Sequence, residues 1–169
     1  GHTPYVVLFS TGSVAEWPDT LPSMTGEFAY YGDNRIAGRD ILDTKPGGNR
    51  LFRQVFTQIH AGIKGREAVP PFLIFHHAND GDVRFVGLAA PGGQSMAPHE
   101  DLQIVETDSA TGGTFMNYKA SFTLLRCNRL SREWLNDLEA GRRDSPHAPA
   151  EWAEWVLTGH YRGLQTSPE

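Results

Sequence analysis

Residues 28–49 read FAYYGDNRIAGRDILDTKPGGN, and this stretch constrains both fold and function more tightly than any other. It opens on a short aromatic run, Phe28–Tyr31, with the composition of a strand. A long polar loop follows, reaching Asn49 and carrying Gly32, Gly38, Gly47 and Gly48. The loop also holds Asp33, Asp40 and Asp43 with Arg35, Arg39 and Lys45. That mixture is wrong for a core and unusual for a plain surface loop. Aromatic faces, acidic acceptors and backbone that glycine lets come close are what a site needs to grip a flat polar ring such as a nucleobase.

Outward from this stretch the chain alternates strand and helix signals. Upstream, Tyr5–Ser10 reads as a strand closed by Thr11-Gly12-Ser13. Downstream, Leu51, Phe52, Val55, Phe56 and Ile59 recur at helical spacing, which predicts an amphipathic helix over Leu51–Ala61 with Asn49 as its N-cap and Gly62 as its stop. Phe72–His77 and Arg84–Ala89 read as strands joined through the turn signal Asn79-Asp80-Gly81-Asp82. Pro91-Gly92-Gly93 breaks the chain, and Leu102–Thr107 and Tyr118–Arg126 supply two more strands around a turn at Thr111-Gly112-Gly113. The last third is helical. Ser131 opens a helix through Trp134–Leu138 that Gly141 ends, and Pro149–Leu157 carries Trp152, Trp155 and Val156 with Gly159 as C-cap. Five or six short strands with helices early and late predict an α+β domain built on a curved antiparallel sheet or barrel.

Composition bounds the function. With 169 residues, 39% hydrophobic and 21% charged, the chain is an ordinary globule able to bury its own core. No run approaches the roughly 18 apolar residues of a membrane span, so no membrane partner is expected. The start leads directly into YVVLFS, so no leader is expected. Gly1-His2 reads as a cloning scar, with flanking residues removed, and the tail after Leu164 is expected to fray. The lone Cys127 excludes an internal disulfide and a cysteine-based zinc cluster and reads as an inert buried thiol. The net charge of −5 argues against a general nucleic-acid coat, yet Tyr31–Arg66 holds seven basic residues against three acids, a local +4. One basic face on an acidic body is compatible with a local phosphate footprint.

A protein that inspects one base of a duplex must take it out of the stack, at a cost of a few kcal/mol. Stacking on flat side chains returns about 1–3 kcal/mol per base. A carboxylate can accept from the exocyclic amine of cytosine, and arginines outside the pocket hold the phosphates. Tyr30 and Tyr31 alternate faces on a strand, so one of them at most points into a given pocket. Trp17 and Asp19, in the proline-fixed EWPDT, are candidates for the opposite aromatic wall and the carboxylate. Each residue also has a structural role to weigh. Trp17 can be a core ring, Asp19 a turn former, one tyrosine core packing, and Asp40 and Asp43 closers of the loop.

The combination Phe28-Ala29-Tyr30-Tyr31-Gly32, then Gly38-Arg39-Asp40, then Gly48-Asn49-Arg50-Leu51 resembles the corresponding run of SRA (SET- and RING-associated) domains. It is closer still to the recognition domains of modification-dependent restriction endonucleases of the ScoMcrA and AspBHI type. PAEWAEWVLTGHYRGL at 149–164 is similar to the closing W-x-x-W-x-x-x-G-x-Y element of that prokaryotic group. The resemblance implies a crescent-shaped, SRA/PUA-like β-barrel with flanking helices. Its implied partner is double-stranded DNA containing modified cytosine, 5-methylcytosine or its hydroxymethyl form, flipped out and held between two rings. It implies no chemistry and no cofactor in the domain itself, a linked nuclease domain outside this chain, and a bacterial cytoplasmic setting. By position Tyr30 is one stacking ring, and Tyr31 and Gly32 line the methyl side. Trp17 and Asp19 stand nearest the second stacker and the base-reading aspartate, with altered spacing. Arg35, Arg39, Lys45, Asn49 and Arg50 meet phosphates or enter the vacated groove.

A second reading, from a different class, is a metal-dependent nuclease or small hydrolase using Asp19, Asp33 or His76. HHAND at 76–80 offers two adjacent histidines, but neighbours on a strand point to opposite faces, which spoils a shared ligand site. His99, His147 and His160 are too scattered to form a ligand set. No P-loop, Rossmann or G-x-S-x-G signature occurs. Trp134, Trp152 and Trp155 read as packing of the late helices onto the sheet.

Overall fold

The computed structural model describes residues 2–11, 26–32, 40–42, 47–77, 80–109, 112–127 and 129–164. Six strands and five helices lie among them: β1 (Val6–Thr11), β2 (Glu27–Tyr31), α1 (Gly48–Gln58), α2 (Gly62–Ala68), β3 (Phe72–His77), β4 (Val83–Pro91), α3 (Pro98–Asp101), β5 (Leu102–Asp108), β6 (Thr114–Leu124), α4 (Arg132–Glu139) and α5 (Ala150–Thr158). The architecture is mixed α+β, with the strands in a single sheet. None of the described helices is long and apolar enough to cross a membrane.

The long β6 is the spine of the sheet. β2 runs antiparallel along 119–123 of it. β5 pairs with 114–120 and β4 with 122–124. β4 continues outward to β3, with a register shift at Ile74/Phe75 that bends the pair. β1 completes the order β1-β3-β4-β6-β2.

Two expectations need correction here. β1 pairs with β3 in parallel, Val6 opposite Phe72 through Thr11 opposite His77, so the sheet is not purely antiparallel. The sixty residues between the two strands, which include α1 and α2, supply the crossover that a parallel pair needs. The closed barrel is not found either, because no ladder joins β1 to β2 among the described residues. The end strands are bridged instead by a side chain: the Tyr30 hydroxyl donates to the Phe9 carbonyl at 3.1 Å. The Tyr30 hydroxyl thus links the β2 margin of the sheet to the β1 margin.

Alternation along β6 and the apolar stripe of α1 build the core. Phe122, fully buried, is surrounded by Phe28 of β2, Phe52 and Phe56 of α1 and Phe72 of β3, with centroids 4.9–5.9 Å away. The same core takes in, as expected, Trp134, Trp152 and Trp155 on α4 and α5. Ser131 caps α4 by accepting from the Trp134 N–H, and Gly159 ends α5 in the left-handed region (φ 75°).

The start of α1 differs from expectation. Its N-cap is Gly47, at φ 73°, and Asn49 lies inside the first turn, fully buried. α2 begins at Gly62, where only a stop was expected, because GIKGREA has no apolar period to announce a helix. Tertiary bonds hold it: the Arg66 guanidinium donates to the carbonyls of Val156 and Leu157 on α5.

Candidate nucleic-acid interface

The candidate site begins where β2 leaves the sheet. Tyr30 stands opposite Ala120 and Tyr31 opposite Lys119, so the two rings project from opposite faces. Both are half-buried. Tyr30 meets Phe52 edge-on, with centroids 6.3 Å apart and planes at 89°, while its hydroxyl is tied to Phe9. Ring and hydroxyl are thus fixed from two directions.

Gly32, the next residue, is pressed against a buried amide pair. Its N–H donates to the Tyr118 carbonyl at 2.8 Å, and its own carbonyl accepts from Asn117 Nδ2 at 2.9 Å. Asn117 Oδ1 accepts from Asn49 Nδ2 at 3.1 Å, and the same nitrogen donates to the Ile41 carbonyl at 2.8 Å. A methyl group on Gly32 would lie 1.8 Å from Asn49 Oδ1 and 2.6 Å from Asn117 Oδ1, so the position excludes any side chain. Asn49 and Asn117 are 0% and 2% exposed. Asn49, expected at the phosphates, instead lies inside the protein, where it holds Ile41 on one side and, through Asn117, Gly32 on the other. Two buried amides that satisfy each other and two carbonyls form a specific lock, because leaving any member unpaired costs about 1–3 kcal/mol.

Around the lock, Asp40 Oδ1 accepts from the Leu42 N–H at 2.8 Å, the loop-closing role foreseen for it. Arg50 Nη1 donates to the Leu42 carbonyl at 2.9 Å, and its guanidinium lies over Gly47, where a Cβ would come within 3.2 Å of Nη2. Trp17, Asp19, Asp33, Arg35, Arg39, Asp43 and Lys45 lie outside the described residues. Of the expected site, Tyr30, Tyr31, Gly32, Asn49 and Arg50 lie among the described residues, and the structure brings Gly32 and Asn49 together. It adds Asn117, which sequence reasoning missed. The strand expected from Tyr118 begins four residues earlier, at Thr114, and asparagine is a residue that strands disfavour.

Of the groups of the alternative chemistry, His76 alone lies among the described residues. His76 pairs in register with Arg84, and the His77 ring packs on Phe9 with centroids 4.9 Å apart. Among the described residues no three His, Cys, Asp or Glu side chains are grouped to hold a metal. Burial pushes the Cys127 thiol up from its ordinary pKa, which keeps it protonated and unreactive near neutrality.

One ionisable pair escaped the sequence. His60 Nε2 lies 2.6 Å from Asp101 Oδ2, fastening the turn after α1 to α3. Burial raises the Asp101 carboxyl and the His60 hydrogen bond opposes that rise. Forty-one positions separate the two, and no spacing rule connects them. Beside them burial pushes the Tyr161 hydroxyl up to about 12, and it donates to the Pro91 carbonyl.

Solved structures share this fold. The DNA modification-dependent restriction endonuclease AspBHI is 41% identical with a TM-score of 0.87, over 97% of this chain and 75% of that one. The DNA recognition domain of the cytosine modification-dependent restriction endonuclease LpnPI is 30% identical with a TM-score of 0.84, over 98% of this chain and 74% of that one. The MspJI restriction endonuclease, solved with a 27-mer oligonucleotide, is 20% identical with a TM-score of 0.73 and shares the fold, over 99% of this chain and 42% of that one. No curated protein sequence matches the chain. The family model described as restriction endonuclease AspBHI N-terminal matches residues 2–167, and the chain belongs to that family.

Proposed function

We propose that residues 1–169 act as one recognition domain that reads a modified cytosine in double-stranded DNA and directs a nuclease domain outside this chain. The observation that carries this reading is the end of β2: a ring fixed from two sides, followed by a glycine seated on a buried amide lock. Chain-length similarity to a solved DNA recognition domain of a cytosine modification-dependent endonuclease, at 30% identity, supports it. Similarity to the modification-dependent endonuclease AspBHI, at 41%, supports it too.

In this reading the target cytosine leaves the stack and lies against Tyr30, with Trp17 as the opposite wall and Asp19 accepting from the exocyclic amine. Gly32 and the backbone of Tyr31, whose ring projects from the other face, shape the side that receives the 5-methyl or 5-hydroxymethyl group. Arg35, Arg39, Lys45 and Arg50 supply phosphate and groove contacts. The Asn49–Asn117 lock contributes by setting the direction in which the chain leaves Gly32 and returns at Ile41. The domain binds and positions, and bond cleavage belongs to the linked nuclease.

The test is binding of short duplexes with and without one 5-methylcytosine, in EDTA. Wild-type protein prefers the modified duplex without metal, and Tyr30→Ala reduces that preference at least tenfold. A 2-aminopurine next to the target base brightens on binding if the base flips. An unchanged methyl preference in Tyr30→Ala overturns the placement of the pocket. Equal affinity of the wild type for both duplexes overturns the reading itself.

A further inference from the structure

We infer that the outer face of α1 is a seat for the DNA backbone, with Arg53 as a phosphate-contacting residue beside Arg50. This inference rests on the recognition reading above and deepens it. The amphipathic period of α1 buries Asn49, Phe52, Val55 and Phe56 and turns Arg50, Arg53, Gln54 and Thr57 outward as one exposed stripe. A groove of about 430 Å³ runs along that stripe, lined by Leu42, Arg50, Arg53, Gln54, Thr57 and Gln58. Two of these residues are cationic and none is acidic.

The absence of acid is particular to this element. α1 carries no Asp or Glu, whereas each of the other described helices carries at least one: Glu67 in α2, Glu100 and Asp101 in α3, Glu133, Asp137 and Glu139 in α4, Glu151 and Glu154 in α5. In a chain of net charge −5, an acid-free helix with two outward arginines is a local positive field.

The cations are also differently held. The bond from Arg50 to the Leu42 carbonyl fixes one guanidinium at the wall of the groove. Arg53 is exposed, and among the described residues its guanidinium makes no hydrogen bond or ion pair. Arg66, Arg142, Arg143 and Arg162 are bound to carbonyls or carboxylates, whereas Arg84, Arg126, Arg129 and Arg132 are, like Arg53, exposed and without such a bond among the described residues. One turn of helix separates Arg50 from Arg53, a rise of about 4.5 Å, so both forks can reach a single phosphate or two neighbouring ones. Gln54 adds a neutral donor at the same level. The Thr57 hydroxyl donates to the Arg53 carbonyl, so it is not a donor for the ligand.

The experiment measures affinity for modified and unmodified duplexes across a salt series, using Arg53→Ala, Arg53→Glu and Arg53→Lys in the whole chain. Arg53 is exposed, so all three variants are expected to fold, as circular dichroism would confirm. Arg53→Ala weakens both duplexes about three- to tenfold, leaves their ratio unchanged and lowers the log–log salt slope by about one. Arg53→Glu weakens both further, and Arg53→Lys restores the slope. Unchanged affinity and slope in both Arg53→Ala and Arg53→Glu overturn the inference. So does a change in the modified-to-unmodified ratio while affinity for plain duplex holds, since a backbone contact is blind to the base. Loss of all methyl preference in the wild type refutes the recognition reading separately and leaves the salt-slope result to be judged alone.

Discussion

Two sets of aromatic rings in this molecule are treated in opposite ways. Trp134, Trp152 and Trp155 are sealed at 0–5% exposure between α4, α5 and the sheet. Tyr30 and Tyr31 stay half-buried at the margin of the sheet, the first with its hydroxyl anchored across to β1. Tryptophans on the apolar face of a helix have one favourable destination, the core. A tyrosine on an end strand can keep its body against the core and its hydroxyl at the edge. The first set therefore carries stability, and the second is the one we propose for recognition.

The largest effect that tests this contrast is Trp155→Ala. The ring packs between Trp152 at 4.9 Å and Tyr161 at 5.9 Å, and its loss costs about 3–5 kcal/mol of unfolding free energy. Chemical denaturation measures it, and a loss below about 1 kcal/mol breaks the contrast from the stability side. Gly32→Ala comes next. Its methyl collides with the Asn49 amide and destabilises by about 1–3 kcal/mol. In a double mutant with Asn49→Ala the two costs add to less than their sum, because the clash partner is gone. Tyr30→Phe removes the bond to Phe9 and costs about 0.5–1.5 kcal/mol, while the ring keeps its place and the methyl preference survives. If Tyr30→Phe loses the preference outright, the hydroxyl rather than the ring is the reader.

The smallest effect concerns pH and lies at the end of α5. The hydrogen bond from His160 and the pairing with Arg162 hold the Glu154 carboxyl below its ordinary value of 4.5. A depressed carboxyl contributes stability above its unfolded pKa and loses it as pH falls through the folded one. The melting temperature is therefore expected to drop slightly more between pH 5 and pH 3 in the wild type than in Glu154→Gln, within the range that exposed pairs contribute.

Much of the architecture is legible along the chain. Apolar period placed β3 without error and located α1, α4 and α5 to within three residues, because each buries a continuous stripe. Left-handed glycines marked the end of α5 and the turn that follows α4, at Gly141. The family itself showed in the FAYYG, GRD and GNRL pieces. Two kinds of feature were not legible. α2 lacks an apolar period and is held by arginine bonds to carbonyls ninety positions away. The role of Asn49 was misread because a polar residue before an apolar run ordinarily caps the helix, whereas here Gly47 does so.

Residue order alone was sufficient for the α+β class of fold and the sealed tryptophans, since these follow from composition and spacing within a dozen residues. Three-dimensional folding decided the parallel β1–β3 pair, the margins linked by one tyrosine hydroxyl, and the meeting of Asn49 with Asn117 across 68 positions. Burial is the physical reason. A buried amide must find partners, and which partners lie within about 3 Å depends on the tertiary fold rather than on any local pattern.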